Sequence, residues 1–262
     1  PQYAKWQLKP ENCVITCYTS GKTVFQGKDA NIYAAAFMNE PVAPTTTTSM
    51  SQYPQAGSDE VGTGDYFGPV CVCACYVTKD DIDFLVKLGV RDSKKLTDAD
   101  MLKIGPQLME KIPHSLLIVT PQKYNQVHEE NNLNAIKAKL HNQAYINLAK
   151  KINLPSFKII DQFTPESLYY RYIKNEPQII RGIHFETKAE DKYLSVAVGS
   201  IISRYGFLKA WEEMEQKYGI TFPKGSGDKV DILAQEFVDR YGFERLGEVA
   251  KLHFKNTEKI RV

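Results

Sequence analysis

The spacing of apolar and polar positions changes several times along the chain, and each change marks an element. Two β-rich runs near the start, Cys13–Tyr18 and Thr23–Gln26, flank Ser20-Gly21-Lys22. That pattern predicts a hairpin, because glycine accepts the backbone conformation a tight turn needs. A short helix is expected over 28–39. One hairpin and one helix bury little core, so this unit must dock elsewhere or be the remnant of a larger small domain. Residues 41–56 have no periodicity and are rich in Pro, Thr, Ser and Gln, which reads as a linker. The expected division is therefore 1–40, a linker over 41–56, and a main domain over 57–262.

Beyond the linker, short β-like runs alternate with longer segments of helical period. Strands are predicted at 58–64, 69–78, 115–120, 157–161 and 179–185. Helices are predicted at 80–88, 97–110, 132–152, 165–175, 193–218 and 230–241. Thr97 suits an N-cap, with Asp98 and Asp100 placed in the positive first turn. Strands first and helices interspersed later predict an α/β fold, a mixed sheet with helices on both faces.

Composition narrows the class. The chain has 262 residues, room for one large domain and a small appendage. No apolar run approaches the roughly 20 residues that span a bilayer, and no signal-peptide pattern opens the chain. No membrane partner is expected. Net charge is only +2, so any nucleic-acid binding must come from local patches and not from global basicity. Five cysteines make an odd count. Cys71, Cys73 and Cys75 alternate on one predicted strand, where same-face neighbours sit ~6.6 Å apart. Disulfide Cβ atoms must approach to about 3.8 Å, and no histidine nearby completes a zinc set. All five read as reduced thiols, which implies a cytoplasmic protein.

Three groups of acids break the usual pattern of solvated charge. Asp59 and Glu60 are adjacent on a short strand that leads into an apolar one, so period two sends them to opposite faces and at least one must be covered. A buried carboxylate is costly unless it is neutralised or binds a cation. Asp161 ends the apolar run Phe157-Lys-Ile-Ile-Asp161, at the strand end where open sheets bind ligands. Glu190 and Asp191 open the long helix of 193–218, whose Ala197, Gly199, Ser200 and Ser203 allow a close approach. Plainer readings remain beside these: a polar β-edge for the first, a helix N-cap for Asp161, and helix-dipole decoration for the third. If such carboxylates converged, they would repel unless divalent cations lay between them. All-oxygen donors select hard ions such as Mg²⁺ or Mn²⁺. No Ser-His-Asp or Cys-His arrangement competes, and the five histidines show no metal-ligand spacing.

The segment Gly57-Ser-Asp-Glu-Val-Gly-Thr-Gly-Asp-Tyr-Phe-Gly-Pro69 resembles the signature of the type 2 ribonucleases H, in the ribonuclease HIII form. The likeness continues through Asp92-Ser-Lys-Lys-Leu96, Ile159-Ile-Asp161, Lys188-Ala-Glu190, Ser200-Ile-Ile-Ser-Arg204 and Leu252-His-Phe-Lys-Asn-Thr257, in order. Tyr18-Thr-Ser-Gly-Lys-Thr-Val-Phe-Gln-Gly27 is similar to the substrate-binding appendage of that form, which ribonuclease HII lacks. Gly62-Thr63-Gly64 in place of Gly-Arg-Gly, and Glu190 in place of Asp, favour the same form. The family's appendage is normally longer, so a shortened or incomplete domain is expected here.

The resemblance implies a ribonuclease H-like mixed sheet flanked by helices, with a small TATA-binding-protein-like α+β appendage. It implies a site of Asp59, Glu60, Asp161 and Glu190 holding two Mg²⁺ or Mn²⁺ ions, and hydrolysis of the RNA strand of RNA/DNA hybrids to 5′-phosphate and 3′-hydroxyl ends. Gly62, Thr63 and Gly64 are expected at the 2′-hydroxyls, Ser93 and Lys94 at the phosphate beside the cut, and Tyr18, Lys22 and Gln26 as further hybrid contacts. The expected partner is the hybrid alone, met by a monomer with no small-molecule cofactor. Two alternatives stand beside this reading: incision at single ribonucleotides in DNA, and non-catalytic nucleic-acid binding.

Overall fold

The computed structural model describes residues 3–10, 12–27, 30, 33, 52–90 and 95–261. The chain divides into two compact units, Pro1–Ser51 and Gln52–Val262.

In the first unit, β1 (Ala4–Leu8), β2 (Val14–Tyr18) and β3 (Thr23–Gln26) form an antiparallel sheet in that order. The predicted hairpin is β2–β3, closed by a Gly21 N–H that donates to the Tyr18 carbonyl at 2.9 Å. Gly21 has a φ of +82°, which explains the glycine. Strand β1 carries no alternation of buried and open positions, so its pattern does not announce a strand. The helix expected at 28–39 lies outside the described residues apart from Ala30 and Tyr33.

The second unit is built on a mixed five-stranded sheet. Its strands are β4 (Gln55–Val61), β5 (Val70–Val77), β6 (His114–Val119), β7 (Phe157–Asp161) and β8 (Ile183–Glu186), in the order β6-β5-β4-β7-β8. β5 pairs antiparallel with both β4 and β6, whereas β4–β7 and β7–β8 are parallel. Strand β4 begins at Gln55, so the last two residues of the expected linker belong to the sheet. The helices are α1 (Ile82–Lys87), α2 (Asp98–Lys111), α3 (Pro121–His128), α4 (Leu133–Ala149), α5 (Glu166–Tyr172), α6 (Leu194–Tyr218), α7 (Asp228–Tyr241) and α8 (Lys255–Glu258). Thr97 caps α2 as expected, accepting from the Asp100 N–H at 3.2 Å. Asn132 caps α4, accepting from Ala135 N–H at 2.9 Å. Helix α3 is an element the periodicity does not reveal, since only Pro121 and Tyr124 are buried along it.

Both faces of β4 and β5 are covered. Cys73, Cys75 and Val77 face a core shared with α2 and α6, while Val72 and Ala74 face one shared with α4 and α5. The first turns of α6, Leu194–Ser203, are buried nearly all round, the pattern of a helix segment enclosed on most sides, whereas Glu212, Glu213, Gln216 and Lys217 near its end are exposed. It lies close against β4 because the contacts are small. A Cβ on Gly57 would meet Ser195 Oγ and Val196 N at 2.5 Å, and one on Gly199 would meet the Cys73 carbonyl at 3.0 Å.

Candidate active site

Strand β4 is the middle strand of the five, so the polar β-edge reading of Asp59 and Glu60 is excluded. Its even-numbered residues face α4 and its odd-numbered residues face α6, as the period of a strand requires. On the α6 side, Gln55 Oε1 accepts from Ser195 Oγ at 2.9 Å, and the Asp59 carbonyl accepts from Ser203 Oγ at 3.1 Å. Asp59 itself is 9% exposed. Its carboxylate accepts from the Glu60 N–H at 2.7 Å and from the Ser200 hydroxyl.

The neighbouring parallel strand brings the second acid alongside. Ser58 is in register with Ile160, so Asp59 and Asp161 each lie one step further along adjacent parallel strands. Asp161 is not a helix cap. Helix α5 starts later with Pro165 at its N-cap, and the Asp161 carboxylate instead accepts from the Ala189 N–H at 2.8 Å. Glu190 and Asp191 do not open the long helix either. They sit in a separate 3-10 turn, Ala189–Asp191, entered through Lys188 at φ +56°, and Tyr193 is the N-cap of α6. That turn carries Glu190 to Asp161, with which it shares a hydrogen bond.

The electrostatics follow from burial and crowding. Burial, and then the charges of Glu60 and Asp161, push Asp59 from 3.8 up to about 8, against the hydrogen bonds from Ser200 and the Glu60 N–H. Asp161 is also raised, by burial first and by Glu190 and Glu60, although the Ala189 N–H opposes this. Glu60 goes the other way. Burial pushes it up, but the hydrogen bond and charge of His141, together with Lys137, outweigh that and hold its carboxyl below the usual range. The four acids therefore feel one another. Asp59, Glu60 and Asp161 lie near the carboxyl ends of the parallel strands β4 and β7, and Glu190 lies in the turn that follows β8. The oxygen-only donor set of Asp59, Glu60, Asp161 and Glu190, with its surplus of negative charge, suits a hard divalent cation. Among the described residues, no three His, Cys, Asp or Glu side chains already surround one point as a finished cage. Glu60, facing α4, is engaged by Lys137 and His141.

Those two residues are absent from the sequence-based site. Lys137 forms an ion pair with Glu60 Oε1 and lies over the Phe163 ring at 4.1 Å. His141 Nε2 donates to Glu60 Oε2 at 2.8 Å, and its Nδ1 is 2.7 Å from Ser58 Oγ. A signal was available. Lys137, His141 and Tyr145 recur every four residues among the mostly apolar buried positions of α4.

The remaining expected residues lie as follows. Gly62 is buried at φ +89°, where a Cβ would meet the Pro69 carbonyl at 2.1 Å, so its own chain already demands a glycine. Thr63 is half-buried, and Gly64 is exposed with open space around it. The turn is held from behind by the C-terminal segment. Lys251 N–H donates to the Tyr66 carbonyl at 2.8 Å, and the buried Lys251 ammonium donates to the Phe67 and Gly68 carbonyls at 3.1 and 2.6 Å. Burial lowers that ammonium to about 7 despite Asp65 and Cys71 nearby. Ser93 and Lys94 lie outside the described residues. In the first unit, Tyr18 and Lys22 line a hollow of about 460 Å³ with Tyr3, Thr19, Ser20 and Val24. Gln26 is exposed at the other end of β3, paired with Val14.

All five cysteines are free thiols, and no described helix is long and apolar enough to cross a membrane.

Comparison with known proteins agrees with this architecture. Residues 56–257 match the family model described as Ribonuclease HII, and residues 1–50 match one described as Domain of unknown function (DUF3378). A ribonuclease HIII from Bacillus mycoides is 42% identical, the alignment covering 99% of this chain and 88% of that protein. The crystal structure of Bst-RNase HIII in complex with Mn²⁺ superposes with a TM-score of 0.78 at 39% identity, over 99% of this chain and 89% of that one. Aquifex aeolicus RNase H3, at 24% identity and a TM-score of 0.63 over 96% of this chain and 89% of that one, shares the fold. With a family model over most of its length and such relatives over nearly all of it, this chain belongs to the ribonuclease HII family of enzymes, in the ribonuclease HIII branch.

Proposed function

We propose that the chain is an endoribonuclease that hydrolyses the RNA strand of RNA/DNA hybrids with divalent cations, leaving 5′-phosphate and 3′-hydroxyl ends. One observation carries the reading beyond family membership. Asp59 and Asp161 stand side by side on adjacent parallel strands, both raised by burial and by like charge. Carboxylates so placed must take a proton or a cation. Asp59, Glu60, Asp161 and Glu190 are the proposed ligands of two Mg²⁺ or Mn²⁺ ions. Bound there, such ions supply charge neutralisation and an activated water for phosphodiester hydrolysis.

The chain's own residues do the rest. Ser200 and the Glu60 N–H fix the Asp59 carboxylate, and the Ala189 N–H fixes Asp161. Gly62-Thr63-Gly64 presents an exposed backbone at Gly64 that suits contact with the 2′-hydroxyls of a shallow minor groove. Ser93 and Lys94 are proposed to meet the phosphate beside the cut. Residues 1–40 are proposed as a hybrid-binding appendage joined by the linker to the catalytic domain. Tyr18 and Lys22 in its hollow, and Gln26, are the proposed contacts. The chain is proposed to work as a monomer, and its five free thiols fit the reducing cytoplasm.

Three labelled duplexes test this: an RNA/DNA hybrid, an all-DNA duplex, and DNA with a single ribonucleotide. The hybrid alone should be cut efficiently, cutting should stop in EDTA and return with Mg²⁺, and Lys22→Ala should raise KM at constant kcat. Equal cutting of all-DNA duplex sinks the hybrid reading, and preference for the single ribonucleotide assigns the activity to the ribonuclease HII type.

A further inference from the structure

We propose that His141, backed by Ser58, is a positioning residue that aims Glu60 into the carboxylate cluster. The proposal rests on the reading above that Glu60 helps to hold a divalent cation. It adds a residue that the acids' spacing does not contain.

The observation is a match between a strand and a helix. Residues two apart on one face of β4 are ~6.6 Å apart, and residues four apart on one face of α4 are ~6 Å apart. The ladders run in opposite senses. Lys137 meets Glu60, His141 meets both Glu60 and Ser58, and Tyr145 donates to the Ala56 carbonyl at 3.2 Å. His141 is the pivot. It is 0% exposed, its ring is stacked on Phe163 at 5.4 Å, and both its nitrogens are engaged.

The hydrogen atoms can be placed by elimination. An ionised carboxylate only accepts, so Nε2 carries a proton toward Glu60. In a neutral ring, Nδ1 is then bare and Ser58 donates to it. In a charged ring, Nδ1 donates and Ser58 accepts. Nε2–H points at Glu60 in both cases, so Ser58 fixes the ring without competing for its task. Lys137 occupies the other oxygen, Oε1. Glu60 therefore has one oxygen on the imidazole of His141 and the other on the ammonium of Lys137, a cation that a metal ion can replace. Exchange of that ammonium for a cation leaves the carboxylate's direction set by His141. Hydrogen-bond partners of metal-binding carboxylates act in this way elsewhere.

The test is titration of Mn²⁺ into the full-length protein without nucleic acid, followed by calorimetry, with folding checked by melting in EDTA. His141→Ala should weaken Mn²⁺ binding by roughly 10–100-fold. His141→Gln, whose amide can still donate to Glu60, should recover part of that, and Ser58→Ala should lose less than His141→Ala. Glu60→Gln should weaken binding too, and the double variant Glu60→Gln/His141→Ala should bind no worse than Glu60→Gln, because the histidine acts only through the glutamate. If Glu60→Gln binds Mn²⁺ like the wild type, the reading of Glu60 as a ligand fails. If Glu60→Gln weakens binding while His141→Ala leaves it unchanged, that reading stands and the present proposal is overturned. Should His141→Ala not fold, wild-type affinity in both His141→Gln and Ser58→Ala overturns it equally.

Discussion

The two faces of β4 treat adjacent acids in opposite ways. On the α6 face, Asp59 meets serine hydroxyls and glycines, with no basic side chain among its influences, and burial drives it up to about 8. On the α4 face, Glu60 is just as firmly packed but meets Lys137 and His141, which hold it down. Burial is common to both, so burial does not decide the charge. The partner does. One acid is left with unmet negative charge, and the other arrives with a resident cation and a rigid donor.

The largest expected break in this contrast is Asp59→Asn. The variant keeps the shape and the Ser200 contact but removes the charge a cation would meet. Cleavage of a hybrid should fall by about 10³-fold or more, a loss of several kcal/mol of transition-state stabilisation. A near wild-type rate in single-turnover assays would end the role proposed for Asp59. Next is Lys137→Met on the other face. It keeps the bulk over Phe163 but leaves the Glu60 charge without its counter-ion, so unfolding in urea should become easier by about 3 kcal/mol in EDTA. Added Mn²⁺ should reduce that deficit, since it can replace the missing positive charge. A deficit unaffected by Mn²⁺ would make Lys137 purely structural.

The smallest effect sharpens the contrast through pH. Because Asp59 titrates higher in the folded chain than in the unfolded one, the folded state binds the extra proton between 3.8 and about 8. Relative to Asp59→Asn, the metal-free wild type should therefore lose a few degrees of melting temperature as pH rises through that window, the comparison cancelling groups such as Lys251 that titrate in the same range. Glu60 contributes with the opposite sign. Its lowered carboxyl stabilises the fold at neutral pH, and this is lost only as pH falls through the carboxylate range. A melting-temperature difference between the metal-free wild type and Asp59→Asn that stays constant from pH 5 to 8 would contradict the assignment of unmet charge to Asp59.

Much of the site is legible in the chain alone because it depends on local rules. Period two dictates that Asp59 and Glu60 part company, and an apolar run ending on Asp161 marks a strand end. Ala197, Gly199, Ser200 and Ser203 announce a close approach without saying to what. The resemblance then supplies Glu190. The sequence does not disclose that Glu190 reaches Asp161 from a 3-10 turn of its own, entered through a left-handed Lys188. Nor does it disclose that Gly62 is required by the Pro69 carbonyl of its own chain.

The sequence by itself determined the alternating strands and helices, the apolar start of α6, the free thiols and the unusual placing of Asp59, Glu60 and Asp161, since each follows from side-chain chemistry at short separation. Only the tertiary structure decided which side of β4 receives a cation from the protein. Lys137 and His141 lie about eighty positions from Glu60 in the chain, and nothing local joins them. The pairing exists because a helix of ~1.5 Å rise and a strand of ~3.3 Å rise pack with their periods in step.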